Sequence, residues 1–218
     1  MKVKFFYLFI FLISIFSFGI VRASTLPLLG KVIYIDAGHG GKDPGAISGN
    51  IYEKDINLEI SFKLQEVLEK NGAIVYMTRY GDYDLSGNNA NLRKRSDLSR
   101  RVKIINESSA DMYISIHLNA LSSSSWSGAQ VFYDDINEEN EKIAKIMQEQ
   151  FKSDLKTNRN YKKITDRYMY ERVNVKGVLI EAGFITNSNE RYLLKQDNYQ
   201  EKIVNSTCKA IIKYFENV

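Results

Sequence analysis

Lys31-Val32-Ile33-Tyr34-Ile35-Asp36-Ala37-Gly38-His39-Gly40-Gly41 decides how this chain folds. Residues 31–36 read as a buried strand, rich in β-branched and aromatic side chains, and the glycines end it abruptly. Working outward, Met112-Tyr113-Ile114-Ser115-Ile116 is another apolar run and leads into His117-Leu118-Asn119-Ala120. Val178-Leu179-Ile180 is a third, expected to end at Glu181 and turn at Gly183. Further strands are expected at 73–78 and 130–133, and helices at 55–70, 96–105 and 137–155. In the first helix Ile56, Ile60, Leu64, Val67 and Leu68 form one apolar stripe, and Gly72 is the expected stop. Ser96 is the expected cap of the second. Two helices close the chain, the last opening on Asp197-x-x-Gln200 in the manner of a capping box. Strands that alternate with helices imply an α/β fold. We expect a single-domain, three-layer arrangement with a mostly parallel twisted sheet and helices on both faces.

The N-terminus is read apart from this fold. Lys2 and Lys4 precede an uncharged stretch from Phe5 to Val21, and Val21-Arg22-Ala23 offers a cleavage site. This is the pattern of an export signal, with cleavage expected after Ala23. An uncleaved membrane anchor is the alternative, since the stretch reaches the short limit for a span. Either reading places residues 24–218 outside the cytoplasm and confines any membrane contact to the N-terminal segment. Those residues suit one domain with a full core. The charge of +4 over the whole chain overstates the case, because Lys2, Lys4 and Arg22 lie in the leader. The remainder is almost neutral, which argues against nucleic acid as a partner. Cys208 is the only cysteine, so no intramolecular disulfide can form. It shares a helical face with Val204, Ile211 and Phe215 and reads as a small buried hydrophobe.

His39 and His117 are the only histidines. Each falls where a strand runs out, at the carboxyl edge where open parallel sheets bind ligands. A lone histidine in a turn or after a strand is usually structural. Two that converge on one edge, with carboxylates nearby, point to zinc, which in catalytic sites takes three protein ligands and keeps an open position. Asp36, Asp43, Glu53, Asp55 and Glu181 are the carboxylate candidates, and spacing alone does not choose among them. Asp36 could instead hold an imidazole N–H.

At this point a family resemblance becomes visible. Residues from about Lys31 to Phe215 resemble the zinc-dependent N-acetylmuramoyl-L-alanine amidases. Ile35 to Gly41 is similar to the first metal motif of that family, with Ala37 where many relatives carry proline. Glu53 matches the glutamate ligand, Ser115-Ile116-His117-Leu118-Asn119-Ala120 the second histidine motif, and Ile180-Glu181-Ala182-Gly183-Phe184-Ile185-Thr186-Asn187 the segment of the catalytic glutamate. The resemblance implies that His39, Glu53 and His117 hold one Zn²⁺ per chain. Glu181 would then be the proton carrier in hydrolysis of the lactyl–alanine amide of peptidoglycan. Leu98 to Ser108 and Ser125 to Gln130 are similar to the germination-specific branch found in endospore formers. That likeness implies a role in spore cortex maturation.

Other readings stay open at this stage. One is a vegetative amidase for cell separation or turnover; others are a zinc carboxypeptidase and a zinc-free wall-binding module. Asn119 and Arg101 are candidate substrate contacts, with turn capping and a solvated helix face as their alternatives. Trp126 could stack on a sugar ring. An accessory activating protein is retained as a partner beside peptidoglycan.

Overall fold

The computed structural model describes residues 26–87, 92–165 and 168–217, so the leader expected at 1–23 lies outside the described residues. In chain order the elements begin with β1 (Val32–Ala37), β2 (Ile47–Ser48), β3 (Ile51–Tyr52), α1 (Glu53–Lys70), β4 (Ile74–Met77) and α2 (Arg93–Asn106). They continue with β5 (Met112–Asn119), β6 (Gln130–Tyr133), α3 (Glu139–Leu155), β7 (Lys162–Lys163), β8 (Gly177–Phe184), α4 (Ser188–Leu194) and α5 (Asp197–Glu216). Six strands form one sheet in the order β4-β1-β5-β8-β6-β7, while β2 and β3 make a separate hairpin. The pairs β4–β1, β1–β5 and β5–β8 are parallel, and β6 runs antiparallel to β8. The expected α/β class with a mostly parallel sheet is the one observed.

Side chains alternate across a strand, and here the alternation separates two environments. Ile33, Ile35, Ile114, Ile116 and Ile180 pack into the main core with Ile60 and Leu64 of α1, Met147 and Phe151 of α3 and Ile211 of α5. Residues of the opposite parity, Tyr34, Tyr113 and Leu179, meet Ile105 of α2 and Val173 in a smaller cluster on the other face. Asp36, Ser115, His117 and Glu181 share that second parity. The sheet therefore builds the main core on one side and presents the polar groups on the other.

Several boundaries differ from expectation, for local reasons. β5 continues through His117 to Asn119 and β8 through Glu181 to Phe184, so neither His117 nor Glu181 sits beyond a strand, and Gly183 is no turn. Leu118, Ala182 and Phe184 are buried and keep the pairing going, with a register irregularity between His117 and Asn119. α1 begins at Glu53, its first turn carrying Glu53 and Asp55 at the end where the helix dipole favours acids. α2 begins at Arg93, so Ser96 is no cap; its hydroxyl accepts the Gly87 N–H at 3.4 Å. Gln196 holds the cap position of α5 with no side-chain cap bond. Asp197 there pairs with Lys63 at 2.5 Å and Gln200 donates to the Leu194 carbonyl, so the capping box is not formed. Among the described residues no helix is long and apolar enough to cross a membrane.

Candidate functional site

Three separate elements deliver the clustered side chains. His39 comes from the turn after β1, Glu53 is the first residue of α1, and His117 lies near the end of β5. One potential ligand atom from each lies within 4.8 Å of the others. The Glu53 carboxylate stands between the imidazoles, 3.2 Å from His39 Nε2 and 3.0 Å from His117 Nδ1. The rings meet edge to face, their centroids 4.8 Å apart. Glu53 is buried, and its position is fixed by backbone N–H donors: Ala46 to Oε2 at 2.8 Å and Leu118 to Oε1 at 3.0 Å. Asn57, one turn along α1, adds a longer bond to Oε1 at 3.3 Å.

Close approach explains part of the glycine-rich turn. A Cβ at Gly38 would fall 2.3 Å from the His117 ring. A Cβ at Gly45, whose φ is +68°, would fall 2.6 Å from Glu53 Oε2 and 2.7 Å from His39 Cδ2. A side chain at either position would push a member of the cluster out of place.

Charge accumulates here in a way that favours a cation. Burial pushes the His39 imidazole down, but hydrogen bonds to Asp43 and Glu53 reverse this and hold it up at about 9. Asp43 meets His39 Nδ1 at 2.8 Å, and that bond brings its own carboxyl down to about 2. Burial works against Glu53 as well, yet the His117 and His39 contacts hold it well below the usual carboxylate range.

Glu181 completes the arrangement from β8. The strand register sets it beside His117 on one flank and Gln130 of β6 on the other. His39, Glu53, His117, Asn119 and Glu181 all line one cleft of ≈ 280 Å³. Two imidazoles and a carboxylate are the donor types of a catalytic zinc site. A half-buried glutamate next to them in an open cleft is the candidate for proton transfer.

The sequence profile of the N-acetylmuramoyl-L-alanine amidases matches residues 33–213. The chain belongs to the N-acetylmuramoyl-L-alanine amidase family. It is 47% identical over 195 residues to the germination-specific N-acetylmuramoyl-L-alanine amidase of Bacillus subtilis, covering 88% of this chain and 82% of the relative. The amidase LytC of the same organism is 30% identical over 191 residues, which are 87% of this chain and 36% of LytC. Among solved structures, the CwlD amidase of Clostridioides difficile, in complex with the GerS lipoprotein, superposes with a TM-score of 0.83 at 38% identity. That match covers 87% of this chain and 100% of the other.

In this amidase two expectations about the site need correction. Arg101 does not lie on a solvated helix face: its side chain is 1% exposed, and it belongs to the lining of the cleft that holds His39, His117 and Glu181. It bonds Asp97 at 2.9 Å, Asp36 at 2.8 Å, and the carbonyls of Ala37 and His39 at 2.8 and 2.6 Å. Asp36 does not hold an imidazole. It accepts from Thr78, Arg101 and Ser115, and Asp43 is the partner of His39 Nδ1. Asp55 is exposed and stands outside the metal cluster.

Sequence reasoning missed Arg79, which is fully buried and ties the site together. It donates to the carbonyls of Ala37 at 2.9 Å, Gly38 at 3.0 Å and Lys54 at 2.6 Å, joining the His39 turn to the start of α1. An arginine directly after the expected strand at 73–78, at the carboxyl edge of the sheet, was the available signal. Asp97 was missed too, although it stands four residues before Arg101 on the same helix.

Proposed function

We propose that this amidase is a zinc enzyme in which His39, Glu53 and His117 hold the metal and Glu181 carries the proton. The observation behind this reading is the convergence of those three side chains within 4.8 Å, with Glu181 registered beside His117. Bound zinc supplies Lewis acidity, lowering the pKa of water toward neutrality and offering positive charge to a developing oxyanion. The chain's own groups do the rest. Asp43 orients the His39 ring through Nδ1, and the backbone donors of Ala46 and Leu118 orient Glu53. A Glu181 carboxylate oxygen takes a proton from the attacking water and returns it to the L-alanine nitrogen as the C–N bond breaks. The products are a lactyl carboxylate on N-acetylmuramic acid and a peptide with a free amino end.

Residues 1–23 serve in this reading as export leader or anchor, and residues 24–218 as the catalytic domain acting on peptidoglycan outside the cytoplasm. The germination-specific relative supports a role in spore cortex maturation. The LytC likeness covers little of that longer protein and gives the vegetative role less support. The CwlD–GerS complex supports an accessory protein partner for this amidase as well.

One sample tests the core of the proposal. Purified protein should hold about one zinc per chain. It should release free L-alanine amino ends from peptidoglycan while leaving the peptides intact, as read by mass spectrometry. Glu181→Gln should keep the zinc and lose about 10²- to 10⁴-fold in turnover. Loss of zinc from that variant would make Glu181 a ligand and overturn its role. Full activity of the pure protein would remove the need for a partner.

A further inference from the structure

On the far side of Glu181 from the histidines lies a second cleft of ≈ 350 Å³ that shares Glu181 and Asn119 with the first. The sheet builds its floor. Gln130 pairs with Glu181 and Phe132 with Leu179 across β6 and β8, and Phe132 also lies beside Lys162 of β7. One end of the floor is thus polar, next to the proposed proton carrier, and the other is apolar. The wall holds Arg159, whose guanidinium carbon lies over two aromatic rings, 4.5 Å from the centre of Trp126 and 4.9 Å from that of Phe184. Its Nε donates to the Ser127 carbonyl at 2.9 Å, which sets the plane of the group. The nearby buried carboxylate, Glu190, is already committed to the N–H groups of Gly128 and Phe184, both at 2.8 Å. Lys163 faces Asp135 at 2.5 Å, whereas among the described residues neither Arg159 nor Lys162 forms an ion pair.

We propose that this cleft binds the peptide half of the substrate through its carboxylates, with Arg159 and Lys162 as the anion-binding groups. The inference rests on the amidase reading above and extends it to the leaving group. The substrate's own chemistry decides which half belongs here. The muramic acid carboxyl is consumed in the amide bond and its N-acetyl group is neutral, so the glycan side offers no anion. The peptide side ends in carboxylates. Glu181 hands its proton to the alanine nitrogen, so the peptide leaves from the Glu181 flank of the site, where this cleft begins. A planar guanidinium in contact with two rings and fixed through its Nε is pre-oriented for two-point contact with a carboxylate, and little freedom is lost on binding. Lys162, exposed at the rim of the same cleft, adds a more weakly coupled charge.

Trp126 is the only tryptophan and forms the wall, so its fluorescence reports occupancy without turnover. The probes are L-alanyl-D-glutamate, its bis-carboxamide, and a neutral oligosaccharide of N-acetylglucosamine, each titrated into the full protein. The acidic dipeptide should saturate the signal and bind about tenfold more tightly than the bis-carboxamide. Arg159→Gln should weaken the acidic dipeptide by about tenfold and bring the two dipeptides close to parity. Lys162→Gln, which leaves the stacked pair in place, should give a smaller loss in the same direction, and Lys145→Gln on α3 none. Binding midpoints are compared rather than amplitudes, because Arg159 itself touches the reporter. Equal affinity for both dipeptides in the unmodified protein would overturn the proposal, as would an undiminished affinity in Arg159→Gln. Saturation by the neutral oligosaccharide alone would assign the cleft to glycan instead. None of these readings depends on hydrolysis, so failure here is distinct from failure of the amidase mechanism.

Discussion

His39 takes φ = +63°, a left-handed conformation that side-chain-bearing residues adopt at a cost of about 1–3 kcal/mol unless their surroundings enforce it. Here the surroundings are two buried guanidinium groups. Arg101 accounts for the His39 carbonyl, Arg79 for that of Gly38, and both for that of Ala37. Burial alone would raise Asp36, but the Arg101 charge and hydrogen bond hold it below its ordinary range, so the Arg101–Asp36 contact is an ion pair. A lysine keeps the charge and loses the fork. Arg101→Lys should therefore lower zinc affinity by about 10- to 100-fold, the usual result of disturbing the groups behind metal ligands. It should also destabilise the fold by about 3 kcal/mol, through the underpaired Asp97 or Asp36. Metal-competition titration and denaturant unfolding read the two effects separately; unchanged zinc affinity would reduce Arg101 to a purely structural residue. The histidines were legible because the chain holds only two and both follow apolar runs. Arg101 was not, because Asp97 four residues earlier looks like a surface helix pair, and the residue that buries it, Asp36, is 65 positions away.

At the scale of elements, α5 shows what periodicity can reveal. Val204, Cys208 and Ile211 are all buried against the main core, as their common helical face implies. Burial pushes the Cys208 thiol from 9.0 up to about 11. A raised pKa means that the unfolded chain ionises first. The stability associated with this group is thus complete below pH 9 and declines as pH rises from about 9 to about 11. Replacing Cys208 with Ala should remove that decline, at most about 1.4 kcal/mol per pH unit, from the pH dependence of denaturant unfolding. Ellman-type titration at pH 8 should find no reactive thiol in the native protein and one per chain in denaturant. Fast native reaction would mean that α5 opens locally. Strand ends were less legible than helix faces. β8 was expected to stop at Glu181 because a glycine follows two residues later. What carries it on to Phe184 is pairing with β5, a partner more than sixty residues away that no local pattern encodes.

For the molecule as a whole, the question is how much of the fold depends on the metal. The proposed ligands come from the β1 turn, α1 and β5, so zinc would staple the N-terminal β1–α1 segment to a strand more than sixty residues further on. The two apolar clusters that hold the sheet and helices together contain none of these ligands. The architecture is therefore expected to persist without zinc, unlike a small domain that a metal must fold. Ligand binding to the native state alone stabilises by about 4 kcal/mol when free zinc is a thousandfold above its dissociation constant. In a chain of this size that corresponds to roughly 8–16 °C in unfolding midpoint. Chelation should abolish hydrolysis and lower the midpoint by that order, while circular dichroism at 25 °C stays native-like and the transition remains cooperative. Returning zinc should restore both midpoint and activity. Loss of secondary structure on chelation would mean that the apolar clusters are insufficient alone. A midpoint indifferent to zinc would mean that the metal does not join the three elements, and the His39–Glu53–His117 assignment would fall with it.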